Sequence, residues 1–189
     1  MQLLKVMNSK LAILIISIIL SQSSVNASEL VLGKENIGNN ISVIFEGAPK
    51  DNIYSSPNNT QLPQFKTDVH IEALINWNEN INIPGQVPGS FIPYLIVSAN
   101  IQNQKTKAQK TVSLVPHINL IDGFHYAKNI KLPGSTKDLY RITFTIENNP
   151  EQLSYHQDWK DAYSIPIFTK ASFTYQDLDF LDMSKVTRP

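Results

Sequence analysis

The sequence predicts an all-β protein built as a single antiparallel β-sandwich. Short runs of alternating apolar and polar residues are separated by clusters of Asn, Pro and Gly, and no long stretch has helical period. Six or seven strands at this spacing, without helices between them, are typical of a sandwich. A length of 189 residues leaves room for one domain with a substantial core.

The amino-terminal half contains the most regular of the predicted strands. At 66–76, apolar residues alternate with a polar face that carries His70 and Glu72, and the apolar face is expected in the core. The other strands expected in this half are shorter or less regular. The predicted strands are 41–46, 66–76 and 91–102, with loops at 47–63 and 78–90.

The carboxyl-terminal half is predicted to contain three further strands. A hairpin connection leads into the strand at 110–118, and 119–134, which contains Asp122-Gly123, is expected to be a long connection. The remaining strands are predicted at 139–147 and 165–176. The acidic tail has no periodicity that assigns a structure to it.

The first 27 residues have the pattern of a cleaved secretory signal. Lys5 and Lys10 precede an apolar run at 11–20, and small residues end the segment at Ala27. Because about 20 apolar residues are needed to cross a bilayer, a retained membrane span is disfavoured. We expect a mature domain at 28–189, soluble in the bacterial periplasm and not inserted in the membrane. The absence of disulfides favours a bacterial over a eukaryotic secreted protein.

Composition excludes several classes of function. The chain has 16 basic and 16 acidic side chains, so it lacks the basic surface that nucleic-acid binding requires. It contains no cysteine, which excludes thiolate nucleophiles, iron–sulfur clusters and cysteine-based zinc sites. Signal cleavage would leave Met183 as the one methionine, so any metal ligands are expected to be histidines and carboxylates.

Histidines are the main candidates for chemistry. His70 and Glu72 point the same way along one strand, about 6.5–7 Å apart, so they could reach or flank one ion. Neutral imidazole and carboxylate suit copper, iron, zinc or manganese. A solvated surface pair is the alternative interpretation of the same spacing. Taken alone, none of the other histidines indicates a functional site; these are His117, His125 and His156. The sequence contains no standard enzyme motif.

Several motifs in order resemble the periplasmic high-affinity iron-transport protein family. The similarity extends from about residue 66 to residue 151 and includes Asn149-Pro150-Glu151. Its main motifs are DVHIEA at 68–73, FIPYL at 91–95, LVPH at 114–117 and DGFHYAKN at 122–129. The resemblance implies an immunoglobulin-like or cupredoxin-like sandwich. It also implies a homodimer that works beside an inner-membrane iron permease and binds copper together with iron.

The resemblance implies metal ligands at His70, Glu72 and His125. Ile92 occupies the position of the family's methionine ligand and cannot coordinate a metal, and Ala127 replaces a usual glycine. His117 stands where the family tends to have another methionine. We therefore hypothesise that His117 compensates for the lost thioether and gives an all-nitrogen-and-oxygen site, which would prefer Cu(II), Zn(II), Fe(II) or Mn(II) over Cu(I).

Two carboxylates are expected to support these ligands. A metal-bound histidine usually donates its second ring N–H to a carboxylate or a carbonyl, which makes Asp68 and Asp122 the candidates. The leading function is then a non-enzymatic metal-binding protein that supports iron uptake. The alternatives are an exported protein-interaction module with structural histidines and an iron-oxidising metalloprotein with an open coordination position.

Overall fold

The computed structural model describes residues 29–55, 61–163 and 165–188. The expected signal segment, 1–27, lies outside the described residues, so its cleavage stays a prediction. Within the described ranges, no helix is long and apolar enough to cross a membrane.

The described residues form eight strands, and every neighbouring pair is antiparallel. The strands are β1 (Leu30–Ile37), β2 (Ile41–Ala48), β3 (Val69–Trp77), β4 (Leu95–Asn103), β5 (Gln109–Asn119), β6 (Gly123–Ile130), β7 (Tyr140–Asn148) and β8 (Ala171–Leu178). Their hydrogen-bonded order is β1-β2-β3-β6-β5-β4-β7-β8. The all-β prediction is confirmed.

Strand β5 joins the two layers of the sandwich. Its first half pairs with β4, where Leu114 lies opposite Val97, and its second half pairs with β6. The core lies between the layer of β1, β2, β3 and β6 and the layer of β4, β7 and β8. Phe45 of β2 stacks on Phe144 of β7 with ring centroids 4.2 Å apart, and both side chains are fully buried. Aromatic stacking of this kind fixes how the layers pack.

The structure contains two strands and a short helix that the sequence pattern did not predict. Strand β1 is an exposed edge strand with little apolar alternation, and β6 lies within the expected connection 119–134. The alternation of β6 was missed because two of its buried side chains, His125 and Asn129, are polar. The helix α1 (Gln157–Ala162) falls between β7 and β8, and β8 begins later than expected.

The polar face of β3 is buried, and this decides where the candidate site lies. His70 and Glu72 have only 1% and 0% of their surface exposed, which contradicts the alternative of a solvated pair. The loop after β2 passes close to Asn129 on β6, whose side-chain amide donates to the backbone oxygens of Asp51 at 2.8 Å and Leu62 at 2.9 Å. This part of the loop is thereby fixed next to the polar face of β3.

Candidate metal centre

The pairing of β3, β6 and β5 gathers the predicted ligands. His70 lies opposite Asn129 and Glu72 lies opposite Ala127 on β6, while His117 of β5 lies opposite His125. One possible ligand atom from each of His70, Glu72 and His125 lies within 4.8 Å of the others. Residues that are far apart in the sequence therefore form one buried cluster.

Three neighbouring histidines, His70, His117 and His125, each use Nδ1 for a hydrogen bond to an oxygen. The Nδ1 atoms of His117 and His125 lie 2.8 Å and 3.1 Å from the carbonyl oxygens of Val115 and Gly123. Because a carbonyl oxygen only accepts, Nδ1 must carry the proton in both rings. Nε2 then keeps its lone pair and is free to bind a metal ion.

His70 has the same tautomer for a related reason. Its Nδ1 lies 2.9 Å from Oδ1 of Asn129. The amide nitrogen of Asn129 already donates to two backbone oxygens, which identifies Oδ1 as the acceptor atom facing His70. His70 therefore donates from Nδ1 and directs the Nε2 lone pair towards Glu72.

Burial keeps the histidines neutral. Burial, with a smaller effect of the nearby His117 ring, lowers the pKa of His70 to about 3. Burial also lowers the pKa of His117 and of His125. Since a protonated imidazole cannot coordinate, these shifts keep the Nε2 atoms able to bind a metal ion at neutral pH.

Glu72 is the most unusual group of the cluster. Neither carboxylate oxygen has a hydrogen-bond partner, although the side chain is fully buried. Nε2 of His70 lies 3.5 Å from its Oε1 and a guanidinium nitrogen of Arg188 lies 3.7 Å from the same oxygen, while carboxylate oxygens of Glu29 and Glu46 lie within 4.8 Å. Burial raises the pKa of Glu72 to about 8 against the opposing effect of Arg188. Buried carboxylate oxygens without partners are costly in free energy, and a cation would satisfy them.

His117 lies beside the cluster but outside the group of three. Its ring centroid is 5.5 Å from that of His70 and 5.9 Å from that of His125. Its buried Nε2 has no hydrogen-bond partner. Its position is compatible with the proposed role as an additional ligand, which stays a prediction.

The cluster is reached through a cleft of about 380 Å³. The three histidines line it together with the loop after β2 and the carboxyl-terminal end of β5. Side chains at the rim are exposed, including Tyr54 and Ile118. The cleft therefore reaches all three rings, although those of His70 and His125 are buried.

The supporting carboxylates expected from the sequence have other partners. Asp68 accepts hydrogen bonds from Lys131 Nζ at 2.6 Å and from the backbone of Leu132 at 2.9 Å. Asp122 accepts from the Asn119 side chain at 2.7 Å. The structure gives the role expected of them to the Asn129 amide and to two backbone carbonyls. A backbone carbonyl is present in every residue, so the sequence does not indicate which carbonyl accepts the hydrogen bond.

Asn129 and Arg188 both lie near the cluster and were not identified from the sequence. Asn129 is four residues after His125, so the period-two rule places both side chains on the same face of β6 and could have indicated it. No sequence signal indicates Arg188. Ile92, which the resemblance was expected to place at a methionine position, is fully buried in the apolar core.

The donor set fits a transition-metal ion. Two buried neutral imidazoles and a carboxylate without hydrogen-bond partners are ligands typical of Cu(II), Zn(II) and Fe(II). His70, Glu72 and His125 would hold the ion, and a contribution from His117 stays a prediction. Fold and site together define a class of protein: an all-β sandwich with a buried histidine–glutamate metal centre.

The chain belongs to the family described as Fe2+ transport protein, whose model matches residues 26–181. It is 34% identical over 100 residues to the 34 kDa membrane antigen of Treponema pallidum, an alignment that covers 52% of this chain and 48% of the antigen. The chain thus spans about half the length of that relative. A UPF0423 protein of Brucella abortus is 28% identical over 135 residues, which cover 69% of this chain and 67% of the relative.

Solved structures of two similar proteins contain copper. A copper-bound methionine-to-isoleucine variant of Campylobacter jejuni P19 matches with a TM-score of 0.65 and 26% identity, covering 79% of this chain and 96% of P19. A copper-bound glutamate-to-glutamine variant of FetP from uropathogenic Escherichia coli strain F11 matches with a TM-score of 0.62 and 27% identity, covering 79% and 95%.

The raised pKa of Glu72 predicts how stability depends on pH in the metal-free protein. Its pKa is about 8 in the folded chain against 4.5 in the unfolded chain, so stability is lost as the pH rises from 4.5 through 8. Glu72→Gln removes this loss. At pH 9 we expect the variant to be more stable than wild type by on the order of 3–5 kcal/mol, with little difference at pH 4.5.

Urea unfolding of chelator-treated protein at the two pH values measures the effect. Glu147→Gln is the matched control, because Glu147 is an exposed partner of Lys170 and its loss should change stability little at either pH. A Glu72→Gln difference that is the same at pH 4.5 and pH 9 would contradict the assigned cause.

Proposed function

We propose that this protein binds a transition-metal ion in the periplasm and supports high-affinity iron uptake. The observation that carries the proposal is the arrangement at the cleft. Nε2 atoms of neutral histidines converge near Glu72, whose two buried oxygens have no hydrogen-bond partner. Orientation of the rings by Asn129 and by backbone carbonyls supports a preformed site, since ligands held this way need little rearrangement to bind.

Copper and iron are the proposed metals. Membership of the Fe2+ transport family supports iron as the transported ion, and the copper-bound P19 and FetP structures support copper as the second metal. The P19 structure also shows that a similar protein retains copper after a methionine-to-isoleucine change.

The proposed partner is an inner-membrane iron permease, and the proposed assembly is a homodimer. Both follow from the family resemblance together with family membership. Delivery of iron to a permease suits a site at the end of an open cleft, where an ion can enter and leave without unfolding of the sandwich. Sedimentation analysis of the mature chain measures the oligomeric state.

His70→Ala and His125→Ala are expected to abolish tight metal binding. Each removes one of the two imidazoles in the group of three, and the chain has no cysteine that could replace it. We expect at least about a 100-fold loss of Cu(II) affinity, measured by competition with a chelator of known affinity. His156→Ala is the control, because His156 lines a different cleft. The Cu(II) affinity of this variant should equal that of wild type. Unchanged binding by both site variants would exclude this centre.

The absence of a thioether predicts a preference for the oxidised ion. Wild type should bind Cu(II) more tightly than Cu(I), because the available donors are nitrogen and oxygen. His117→Met supplies sulfur beside the cluster and should shift the preference towards Cu(I). Parallel titrations under anaerobic and aerobic conditions measure both affinities. Tighter binding of Cu(I) than of Cu(II) by wild type would overturn the prediction.

We propose stoichiometric binding and not catalysis. An iron-oxidising enzyme would consume oxygen continuously when Fe(II) is supplied in excess. For this protein we expect at most one brief phase of oxygen uptake, limited by the amount of protein, when an oxygen electrode follows the addition of excess Fe(II). Sustained uptake that His70→Ala abolishes would instead favour the ferroxidase alternative.

A further inference from the structure

Arg188 places a positive charge at the candidate metal centre from the far end of the chain. The match to the family model ends at residue 181 of this chain, so Arg188 lies beyond the matched residues. Its backbone N–H donates to the carbonyl of Lys50 at 3.2 Å, and its own carbonyl accepts from the Gln64 side chain at 2.9 Å. Thr187 forms a parallel bridge with Lys50. The carboxyl-terminal segment is therefore attached to the loop that flanks the site.

The guanidinium of Arg188 faces three carboxylates. It donates a hydrogen bond to Glu29 and lies 3.7 Å from carboxylate oxygens of both Asp51 and Glu72. The oxygen of Glu72 that it approaches is Oε1, which is also the oxygen 3.5 Å from Nε2 of His70. Arg188 thus approaches the oxygen that a metal ion held by His70 and Glu72 would be expected to use.

We propose that Arg188 is an internal counter-ion that competes with the metal for Glu72 and thereby sets the affinity of the site. Binding of a divalent ion requires that the guanidinium weaken its contact with Glu72 Oε1. Arg188 keeps Glu29 and Asp51 as partners when it does so. The inference rests on the proposed function, because it assumes that the metal binds at His70, Glu72 and His125.

The charges around the site support competition. The Arg188 guanidinium lies 3.7 Å from Glu72 Oε1, the oxygen that is itself 3.5 Å from Nε2 of His70. Its positive charge therefore opposes a divalent cation bound at His70 and Glu72. Partial burial strengthens the effect, since the Arg188 side chain is 21% exposed and that of Glu72 is fully buried. Ions with strong bonds to imidazole overcome this repulsion more readily than weakly bound ions.

Zn(II) affinity measured by chelator competition tests the proposal. Arg188→Gln should bind Zn(II) at least about 10-fold more tightly than wild type, because a positive charge close to the ion is removed. Arg188→Lys keeps the charge and should bind with nearly wild-type affinity. Lys185→Gln is the matched control: it removes one positive charge from the same segment, where Lys185 pairs with Asp182 at 2.7 Å, and it should leave the affinity unchanged.

A second measurement needs no variant. In ¹⁵N-labelled wild type, the Arg188 side-chain N–H signal should shift when Zn(II) is added, as the guanidinium moves away from Glu72. Thermal unfolding of metal-free Arg188→Gln establishes whether the variant is folded. If it is not, the shift of the Arg188 signal decides the question, and an unchanged signal on saturation with Zn(II) overturns the proposal.

The outcomes separate this inference from the proposed function. If wild type binds Zn(II) in a His70-dependent manner and folded Arg188→Gln binds with equal or lower affinity, the role of Arg188 is overturned and the metal site stands. If no variant binds Zn(II), or if binding does not depend on His70, both are overturned. Tighter binding by Arg188→Gln that requires His70 supports both.

Discussion

The hydrogen bond between His70 and Asn129 is the interaction on which the rest of the site depends. It joins β3 to β6 and fixes the proton of His70 on Nδ1, so that Nε2 is directed towards Glu72. The same Asn129 side chain donates to two backbone oxygens of the loop after β2 and fixes that loop next to the site. A single amide therefore orients a ligand and holds the segment that lines the cleft.

Burial of this polar face opposes folding, and the apolar core must compensate for it. Glu72 has no hydrogen-bond partner for either oxygen, which costs free energy in the absence of a cation. The opposite face of β3 packs into a core that includes Ile71, Phe45 and Phe144. Structural and functional requirements are thus divided between the two faces of one strand. A bound ion would reverse the electrostatic penalty at Glu72 and couple metal binding to stability.

The kind of donor at the centre determines which metals it favours. Ile92 belongs to the core, and the group of His70, Glu72 and His125 contains only nitrogen and oxygen donors. The His117 ring lies beside His70, and Arg188, outside the residues that the family model matches, places a positive charge beside Glu72. The donor atoms concern the choice of metal, and the charge of Arg188 concerns how strongly any cation is held.

The sequence by itself determined the all-β class, the strand that carries His70 and Glu72, and their place on a common face, because alternation along a strand is a local property. It could not show that this face is buried, that His125 lies in a strand, or that Asn129 and not Asp68 supports His70. Those features depend on which strands pair, and pairing is decided by packing between distant segments. Arg188 is the clearest case, since only the folded chain brings its guanidinium within 3.7 Å of Glu72.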